Sequence, residues 1–357
     1  MSQISEDVKM KGELRIVKRN ILGEILQEVT VPNLVVTTGK TFIANRMTSV
    51  ATTGIMTYMG IGGIIQWPAG SLVASKQYVI GFVGTTDFTL LGAAANTVGT
   101  VFTCSGGAQS GTGWASPVLT AGFFVVGQAY TIVSAGSTSF TAIGAANNTV
   151  GTTFIATGVG SGTGTASTSQ VAIAAPAITD TTLNNEQLRQ PLTNIAATAM
   201  VSGTTYTILT VGTSSYTSSG ATSNTVGVTF VFNGVAVTGT GTVISGGVSS
   251  ANTVTYGASF GPTVAGNFIV GQTYTIASVG TTSFTAIGAS SNTVGVTFVA
   301  TGVGSGTGTA GTPIALYEAG LFSTVTFASN MLCRTNYSII TKNAGDSIAI
   351  TWVVTVA

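Results

Sequence analysis

Two stretches of the sequence repeat each other almost residue for residue. Phe124-Val-Val-Gly-Gln-Ala-Tyr130-Thr-Ile returns later in the chain as Phe268-Ile-Val-Gly-Gln-Thr-Tyr274-Thr-Ile. Each is followed by Ser-Phe-Thr-Ala-Ile-Gly, then by Asn-Thr-Val-Gly, then by a run of Gly and Thr. Such self-similarity indicates small modules of one design, so it has to be recognised before a fold is assigned.

Two further copies are more divergent but keep the aromatic positions and the Asn-Thr-Val-Gly motif. One contains Tyr206, Tyr216, Asn224-Thr-Val-Gly227 and Phe230, and the other contains Tyr78, Phe88, Asn96-Thr-Val-Gly99 and Phe102. We therefore predict four repeat modules, called modules 1 to 4, at residues 75–116, 123–168, 200–247 and 267–312.

Each module is predicted to contain three or four short strands, because apolar residues alternate with Thr and Ser. In module 2 these strands are expected around Tyr130, Phe140 and Phe154, followed by the Gly-Thr run. A unit of this size is expected to need a neighbour, the rest of the chain or another subunit to bury its apolar face.

The residues outside the modules form a discontinuous host domain in this prediction. They are residues 1–66, 170–199, 248–262 and 313–357, which together have the size of one ordinary domain. The modules would be inserted after about Trp67, Ala199 and Pro262, at loops on one end of the host domain. The fold class predicted is mainly all-β: a β-sandwich-like host domain with one or two short helices and four inserted β-repeat modules.

Local patterns place the elements of the host domain. Alternating residues predict a hairpin of 12–18 and 24–31, and a long strand at 347–356. Residues 37–40 are expected to cap a short helix that buries Phe42, Ile43 and Met47 and exposes Lys40 and Arg46. A second short helix is expected over 180–189, capped by Asp180, with Leu183 and Leu188 inward.

Charge is scarce and unevenly distributed. Charged residues are 6% of the chain, whereas a soluble globular protein carries about 25%. Twelve of them lie in the first 46 positions, and none lies between Gln190 and Leu316. A net charge of +1 provides no field for nucleic acid or anionic lipid.

The mean hydropathy of +0.52 does not indicate membrane insertion. No apolar run has the roughly 18 residues that a spanning helix needs, and the aromatic girdles of a membrane barrel are not visible. The first residues do not resemble a secretory signal peptide. We therefore expect no membrane insertion.

The composition argues against an enzyme. The chain has no His, which removes Ser-His-Asp and Cys-His arrangements and the commonest metal ligand. Gly39-Lys40-Thr41 lacks the earlier glycine of a phosphate-binding loop, because Leu34 stands at that position. The acids are scattered, which disfavours a pair of glycosidase carboxylates. We predict no catalytic, cofactor or metal site.

The sequence also allows predictions for the state of its two cysteines and for the pairing of one glutamate. Cys104 and Cys333 are predicted to be free thiols, and an intersubunit disulfide stays open as the alternative. Glu318 lies in an apolar strand, where an unpaired carboxylate would be costly. We predict a structural ion pair of Glu318 with Arg189 or Arg334.

The host domain resembles the tail-collar fibre domains of tailed bacteriophages. The resemblance rests on the order Met59-Gly-Ile-Gly62, Thr179-Asp-Thr-Thr-Leu183-Asn-Asn-Glu186-Gln-Leu-Arg189 and Tyr317-Glu318-Ala-Gly-Leu-Phe322, followed by a final strand. The segments 31–39 and 331–335 are similar to small phage virion proteins. The modules look like those scattered through surface proteins of aquatic phages.

The resemblance implies a structural virion protein, assembled in the host cytoplasm and released by lysis. A tail fibre or collar component is expected, with capsid decoration as the alternative and a glycan-cleaving virion enzyme as a further one. Its partners would be other virion proteins and host surface polysaccharide. Because Gly-rich, uncharged strands leave exposed sheet edges that favour association, we also expect a closed homo-oligomer, in the form of a homotrimer.

Overall fold

The computed structural model describes residues 10–46, 55–107, 109–168, 175–192, 195–200, 202, 205–226, 228–244, 248–250, 252–323 and 331–356. The strands within these residues are, in chain order, β1 Met10–Arg19, β2 Ile25–Pro32, β3 Leu34–Val35, β4 Tyr58–Ile65, β5 Trp67–Pro68, β6 Gln77–Phe82, β7 Val101–Thr103, β8 Trp114–Thr120, β9 Ala129–Ser134, β10 Thr153–Ile155, β11 Thr165–Thr168, β12 Glu186–Pro191, β13 Ile195–Ala196, β14 Thr205–Thr210, β15 Thr229–Val231, β16 Thr242–Ile244, β17 Val248–Ser250, β18 Thr253–Phe260, β19 Thr263–Val264, β20 Thr273–Ser278, β21 Thr297–Val299, β22 Thr309–Gly311, β23 Ile314–Phe322, β24 Met331–Lys342 and β25 Ser347–Val356.

The helices in the same residues are short. The α-helix α1 covers Thr37–Arg46, and 3₁₀ helices cover Ala69–Ser71, Phe88–Leu91, Phe140–Ile143, Ala197–Ala199, Thr217–Ser219 and Thr285–Ile287. Since 41% of the described residues are in strands and 10% in helices, the prediction of a mainly all-β protein is confirmed.

Two five-stranded antiparallel sheets form the host domain. The strand order is β17-β18-β25-β1-β2 in the first sheet and β12-β4-β23-β24-β3 in the second. One hydrophobic core contains Leu14, Ile16 and Trp352 of the first sheet together with Ile61 and Leu321 of the second. The two sheets therefore pack face to face as a β-sandwich, and the predicted hairpin and final strand are β1, β2 and β25.

All four modules share one strand order. The strand that precedes each module, which we call its lead-in strand, pairs with the last strand of the module. The last strand then pairs with the first strand, and the first strand pairs with a short middle strand. This order is β13-β16-β14-β15 in module 3 and β19-β22-β20-β21 in module 4. Modules 1 and 2 form one continuous seven-stranded sheet, because β8 ends module 1 and also serves as the lead-in strand of module 2. The lead-in strands make each sheet begin before its predicted boundary, at Trp67, Val118, Ile195 and Thr263.

The prediction of a strand around Phe140 is wrong, because this residue begins a 3₁₀ helix. Asn148 Oδ1 accepts a hydrogen bond from the backbone N–H of Phe140 at 2.7 Å, and Gly144 ends the helix in the left-handed conformation with φ 107°. The recurring Asn thus fixes the start of the helix, and the glycine that follows supplies a conformation that other residues rarely adopt. The same bond joins Asn96 to Phe88 at 2.9 Å and Asn224 to Tyr216 at 3.1 Å.

Modules 2, 3 and 4 each have a hydrophobic core of their own. In module 2 the ring of Phe124 lies 5.0 Å from that of Tyr130 and 5.9 Å from that of Phe140, and module 4 repeats this arrangement. In module 1, by contrast, Tyr78 and Phe102 belong to the core of the host domain. The expectation that no module buries its own core is therefore wrong for three of them, because clustered aromatic rings bury much area in a small unit.

The modules leave the host domain from two opposite ends. Modules 1 and 2 begin after Ile65, which pairs with Ile314, where the chain returns from module 4. Module 3 follows β12, whose last residue, Pro191, pairs with Tyr58 at the other end of β4. The prediction that all insertions lie at one end is therefore wrong for module 3.

The first predicted helix is α1, with Phe42 and Ile43 packed against the core. Met47 lies outside the described residues, as does the side chain of Arg46. A Cβ added at Gly39 would overlap the backbone of Leu332 on β24. Gly39 therefore serves the close packing of helix on sheet, and Lys40 is exposed beside it.

The second predicted helix, over 180–189, does not form. Residues 180–185 form bends and irregular backbone, and β12 starts at Glu186 and pairs with β4. The backbone N–H groups of Asn184 and Asn185 donate to the carboxylate of Glu318 instead of to helix carbonyls. Asn is a weak helix former, so a buried carboxylate and a free sheet edge outweigh the helical pattern.

Candidate functional site

A buried ion pair lies across β23 and β24 in the second sheet. Every residue of β23 is buried, including Glu318, which is 0% exposed. Arg334 donates from Nη2 to Glu318 Oε2 at 2.8 Å and from Nε to the same oxygen at 3.2 Å. Both charges are removed from water, so the pair depends on these bonds.

The loop before β12 supplies further donors to Glu318. The N–H of Asn185 lies 2.6 Å from Oε1, and the N–H of Asn184 lies 3.1 Å from Oε2. Both carboxylate oxygens are therefore hydrogen-bonded, and the loop that was predicted to be a helix is tied to the centre of the sheet.

A second buried pair lies beside the first. Arg189 binds Glu186 in bidentate fashion, with Nε to Oε1 and Nη2 to Oε2 both at 2.6 Å. The guanidinium carbon of Arg189 also lies 3.7 Å from the ring centroid of Phe322. Burial raises the pKa of Glu186 to about 7, and the charge of Glu318 adds to this, against the lowering effect of Arg189.

Asp180 and two tyrosines complete this group of polar residues. Asp180 accepts from Arg334 Nη1 at 2.5 Å. Asn185 Nδ2 donates to the hydroxyl of Tyr317, whose pKa burial raises to about 12. The hydroxyl of Tyr337 donates to the backbone oxygen of Glu318 at 3.1 Å.

We call Asp180, Glu186, Arg189, Glu318 and Arg334 the buried charge network. Each of its carboxylates is bound by a guanidinium group, and burial raises the pKa of Glu186 above its ordinary value. The network holds β12, β23 and β24 in one register, and its chemistry is that of structural ion pairing.

Of the two arginines predicted as possible partners of Glu318, the structure pairs one with it. Glu318 pairs with Arg334, whereas Arg189 pairs with Glu186. Sequence reasoning missed Glu186 and Asp180, because the predicted helix assigned them to its exposed turns and its cap. Asn184-Asn185 in the middle of that segment was the signal against a helix.

Both cysteines are buried free thiols within the described residues. Burial raises the pKa of Cys333 well above its ordinary value. A disulfide between subunits would require these thiols to reach the surface, so the burial argues against that alternative.

A separate ionic contact lies at the turn between β24 and β25. Lys18 Nζ lies 3.0 Å from Asp346 Oδ2. Near it, burial lowers the pKa of Lys342 to about 8. This contact joins β1 to the turn that leads into its neighbour β25.

The described residues contain neither a helix that could span a membrane nor a cluster of metal-ligating side chains. None of their helices is long and apolar enough to cross a bilayer. They also contain no group of three or more His, Cys, Asp or Glu residues arranged to hold a metal ion.

Comparison with known proteins identifies no relative of this chain: no family model, curated protein or solved structure matches it.

Proposed function

We propose that this chain is a non-enzymatic structural protein of a tailed-phage particle. In this proposal it is an outward-facing component of tail fibre or collar type. The host domain docks on other virion proteins, and the modules make contacts at the particle surface. The proposal includes assembly in the host cytoplasm and release by lysis.

The observation that carries the proposal is the difference in charge and composition between the host domain and the modules. The host domain contains the buried charge network and the Lys18–Asp346 contact. The modules are compact units of Thr, Ser and Gly around aromatic side chains, and modules 2, 3 and 4 carry no charge at all. A host domain held together by buried ion pairs, with neutral modules at its ends, is suited to docking and weak multivalent contact, and the motifs that resemble collar domains all lie in the host domain.

One strand of the host domain supports assembly with other chains. β2 lies at the edge of the first sheet, and none of its eight residues is buried. Ile21, Leu22, Ile25 and Leu26 at its hairpin tip are each at least half exposed. An unpaired strand edge beside aliphatic side chains favours association, and a closed homotrimer is the assembly we propose. A stable monomer by light scattering would contradict it.

The copy number of the chain in purified particles tests the proposal and separates its two forms. A few tens of copies or fewer by quantitative mass spectrometry support a tail component, whereas hundreds support capsid decoration. Absence from the particles would refute both forms.

A glycan-cleaving virion enzyme is the remaining alternative. It predicts release of reducing ends when the full chain is incubated with polysaccharide from the host surface. The structural proposal predicts none.

A further inference from the structure

A cleft of about 630 Å³ lies between module 2, module 4 and the host strand β12. Module 2 contributes Val125 and Gln128, module 4 contributes Asn267, Gln272 and Tyr274, and β12 contributes residues 187–190. Its volume is in the range of small-molecule sites. The two modules meet beside it, where Gln272 Nε2 donates to the backbone oxygen of Phe123 at 3.0 Å.

Carboxamide side chains are concentrated in the walls of this cleft. The sequence contains ten Gln residues, and four of them line the cleft together with one Asn. The wall residues are Gln128, Gln187, Gln190, Asn267 and Gln272. Gln128 Oε1 already accepts from the hydroxyl of Tyr130 at 2.6 Å, and Gln272 Nε2 donates to Phe123. Gln187, Gln190 and Asn267 are therefore the carboxamides that can offer a donor and an acceptor side by side, which matches a pair of neighbouring hydroxyl groups.

Gln187 is the least satisfied of these residues. It is 5% exposed, and within the described residues neither its amide oxygen nor its amide nitrogen has a hydrogen-bond partner. A buried amide without partners is costly. Rotation of this side chain toward a bound hydroxyl group would supply the missing partner.

The charges of the wall are not presented to a ligand. The Arg189 guanidinium is bound by Glu186, and Lys342 is 2% exposed. None of the described residues that line the cleft is acidic. Apolar contact is supplied by Val264 and Ile269, which are 46% and 45% exposed, and such side chains can pack on the C–H face of a sugar ring.

We infer that this cleft binds a neutral, hydroxyl-rich ligand, such as a short oligosaccharide, through its carboxamide side chains. The inference rests on the proposed function for the outward position of the modules. It adds the place and the chemistry of one surface contact, and it assigns that contact to the junction of two modules with the host domain.

Calorimetric titration of the full chain tests the inference with three probes: maltotetraose, tetra-N-acetylchitotetraose and trigalacturonic acid. Gln190→Ala and Asn267→Ala are suitable variants, because both residues are exposed wall residues and their loss leaves the core intact. Gln27→Ala is the matched control, since Gln27 lies on β2 and not in the cleft.

We expect at least one neutral oligomer to bind at millimolar concentration. Each cleft variant should weaken this binding about tenfold, the loss expected for one hydrogen bond, whereas Gln27→Ala should not change it. Thermal unfolding of all three variants should match the parent chain.

Three results would overturn the inference: no heat with either neutral oligomer, equal affinity in the cleft variants and the parent, or binding of the acidic oligomer alone. None of them would alter the copy number in the particle, so the proposed structural role is tested separately.

Discussion

Arg334 Nη2 lies 2.8 Å from Oε2 of Glu318, and neither side chain is more than 1% exposed. Glu318 also accepts two backbone N–H groups from the loop before β12. A charge pair of this kind is not in itself a large source of stability, but removing one partner leaves the other charge buried and uncompensated. This asymmetry makes the pair testable.

Glu318→Gln should destabilise the host domain strongly. The amide keeps the size of the carboxylate but leaves Arg334 without a buried counter-ion, and such losses are about 3 kcal/mol or more. Urea unfolding followed by tryptophan fluorescence is the measurement, since Trp67 and Trp352 are both buried in the host core.

The matched control is Glu28→Gln. Glu28 also pairs with an arginine, Arg15, but the two side chains are 43% and 50% exposed, and exposed pairs contribute little. We expect no measurable change in the control. If Glu318→Gln unfolds at the same urea concentration as the parent chain, the structural role of the pair is refuted.

Glu186 should give stability a pH dependence of unusual sign. Its pKa rises from an ordinary 4.5 to about 7 on folding, chiefly because it is buried. The folded state therefore binds the proton more tightly than the unfolded state, so this group stabilises the fold below pH 4.5 and loses that contribution as the pH rises to about 7. The loss should amount to about 3 kcal/mol at most.

Glu186→Gln isolates this contribution. Glutamine cannot ionise, so the difference in unfolding free energy between parent and variant should change between pH 4.5 and pH 7 in favour of the variant. Urea unfolding across this interval measures it. A difference that is constant with pH, or one that moves in favour of the parent chain, would contradict the raised pKa of Glu186.

Local patterns were enough to predict several individual strands, but long-range contacts decided where other predictions failed. The alternation of apolar and polar residues predicted β1, β2 and β25, because a strand with one buried face carries that pattern in its own residues. The segment 180–189 was assigned to a helix because its competitors, Glu318 and the free edge of β4, lie far away in the sequence.

The candidate site shows the same limit. A carboxylate inside an apolar strand indicated that Glu318 must be paired, but two arginines were equally suitable partners in the sequence. Only the register of β23 with β24 places Arg334 within reach and leaves Arg189 to Glu186. Module 3 leaves the host domain at the end opposite to the other modules, and this position likewise depends on the direction in which β12 runs along β4.

The adjacent residues Phe123 and Phe124 should respond very differently to truncation. Phe124 is 2% exposed and contacts three aromatic rings of module 2, so Phe124→Ala should cost about 3 kcal/mol or more through the cavity it leaves. Limited proteolysis should then cut within module 2, because this module has a core of its own.

Phe123→Ala is the matched comparison. Phe123 is 44% exposed and packs on Gly271 of module 4, so its loss should cost less than about 1 kcal/mol. Module 2 should remain resistant to protease in this variant. Equal protease sensitivity of the two variants would show that module 2 has no independent core.

Asn148→Ala should loosen the 3₁₀ helix of module 2 without unfolding the module. Asn148 Oδ1 accepts from the N–H groups of Phe140 and Thr141 at 2.7 Å and 3.2 Å, and losing an acceptor of this kind costs about 1 to 2 kcal/mol. Residue-resolved hydrogen exchange should show faster exchange at Phe140. Val150→Ala is the control, since Val150 lies in the same motif but is 60% exposed. Unchanged exchange at Phe140 in the Asn148 variant would mean that the glycine at the helix end, and not the asparagine, fixes this turn.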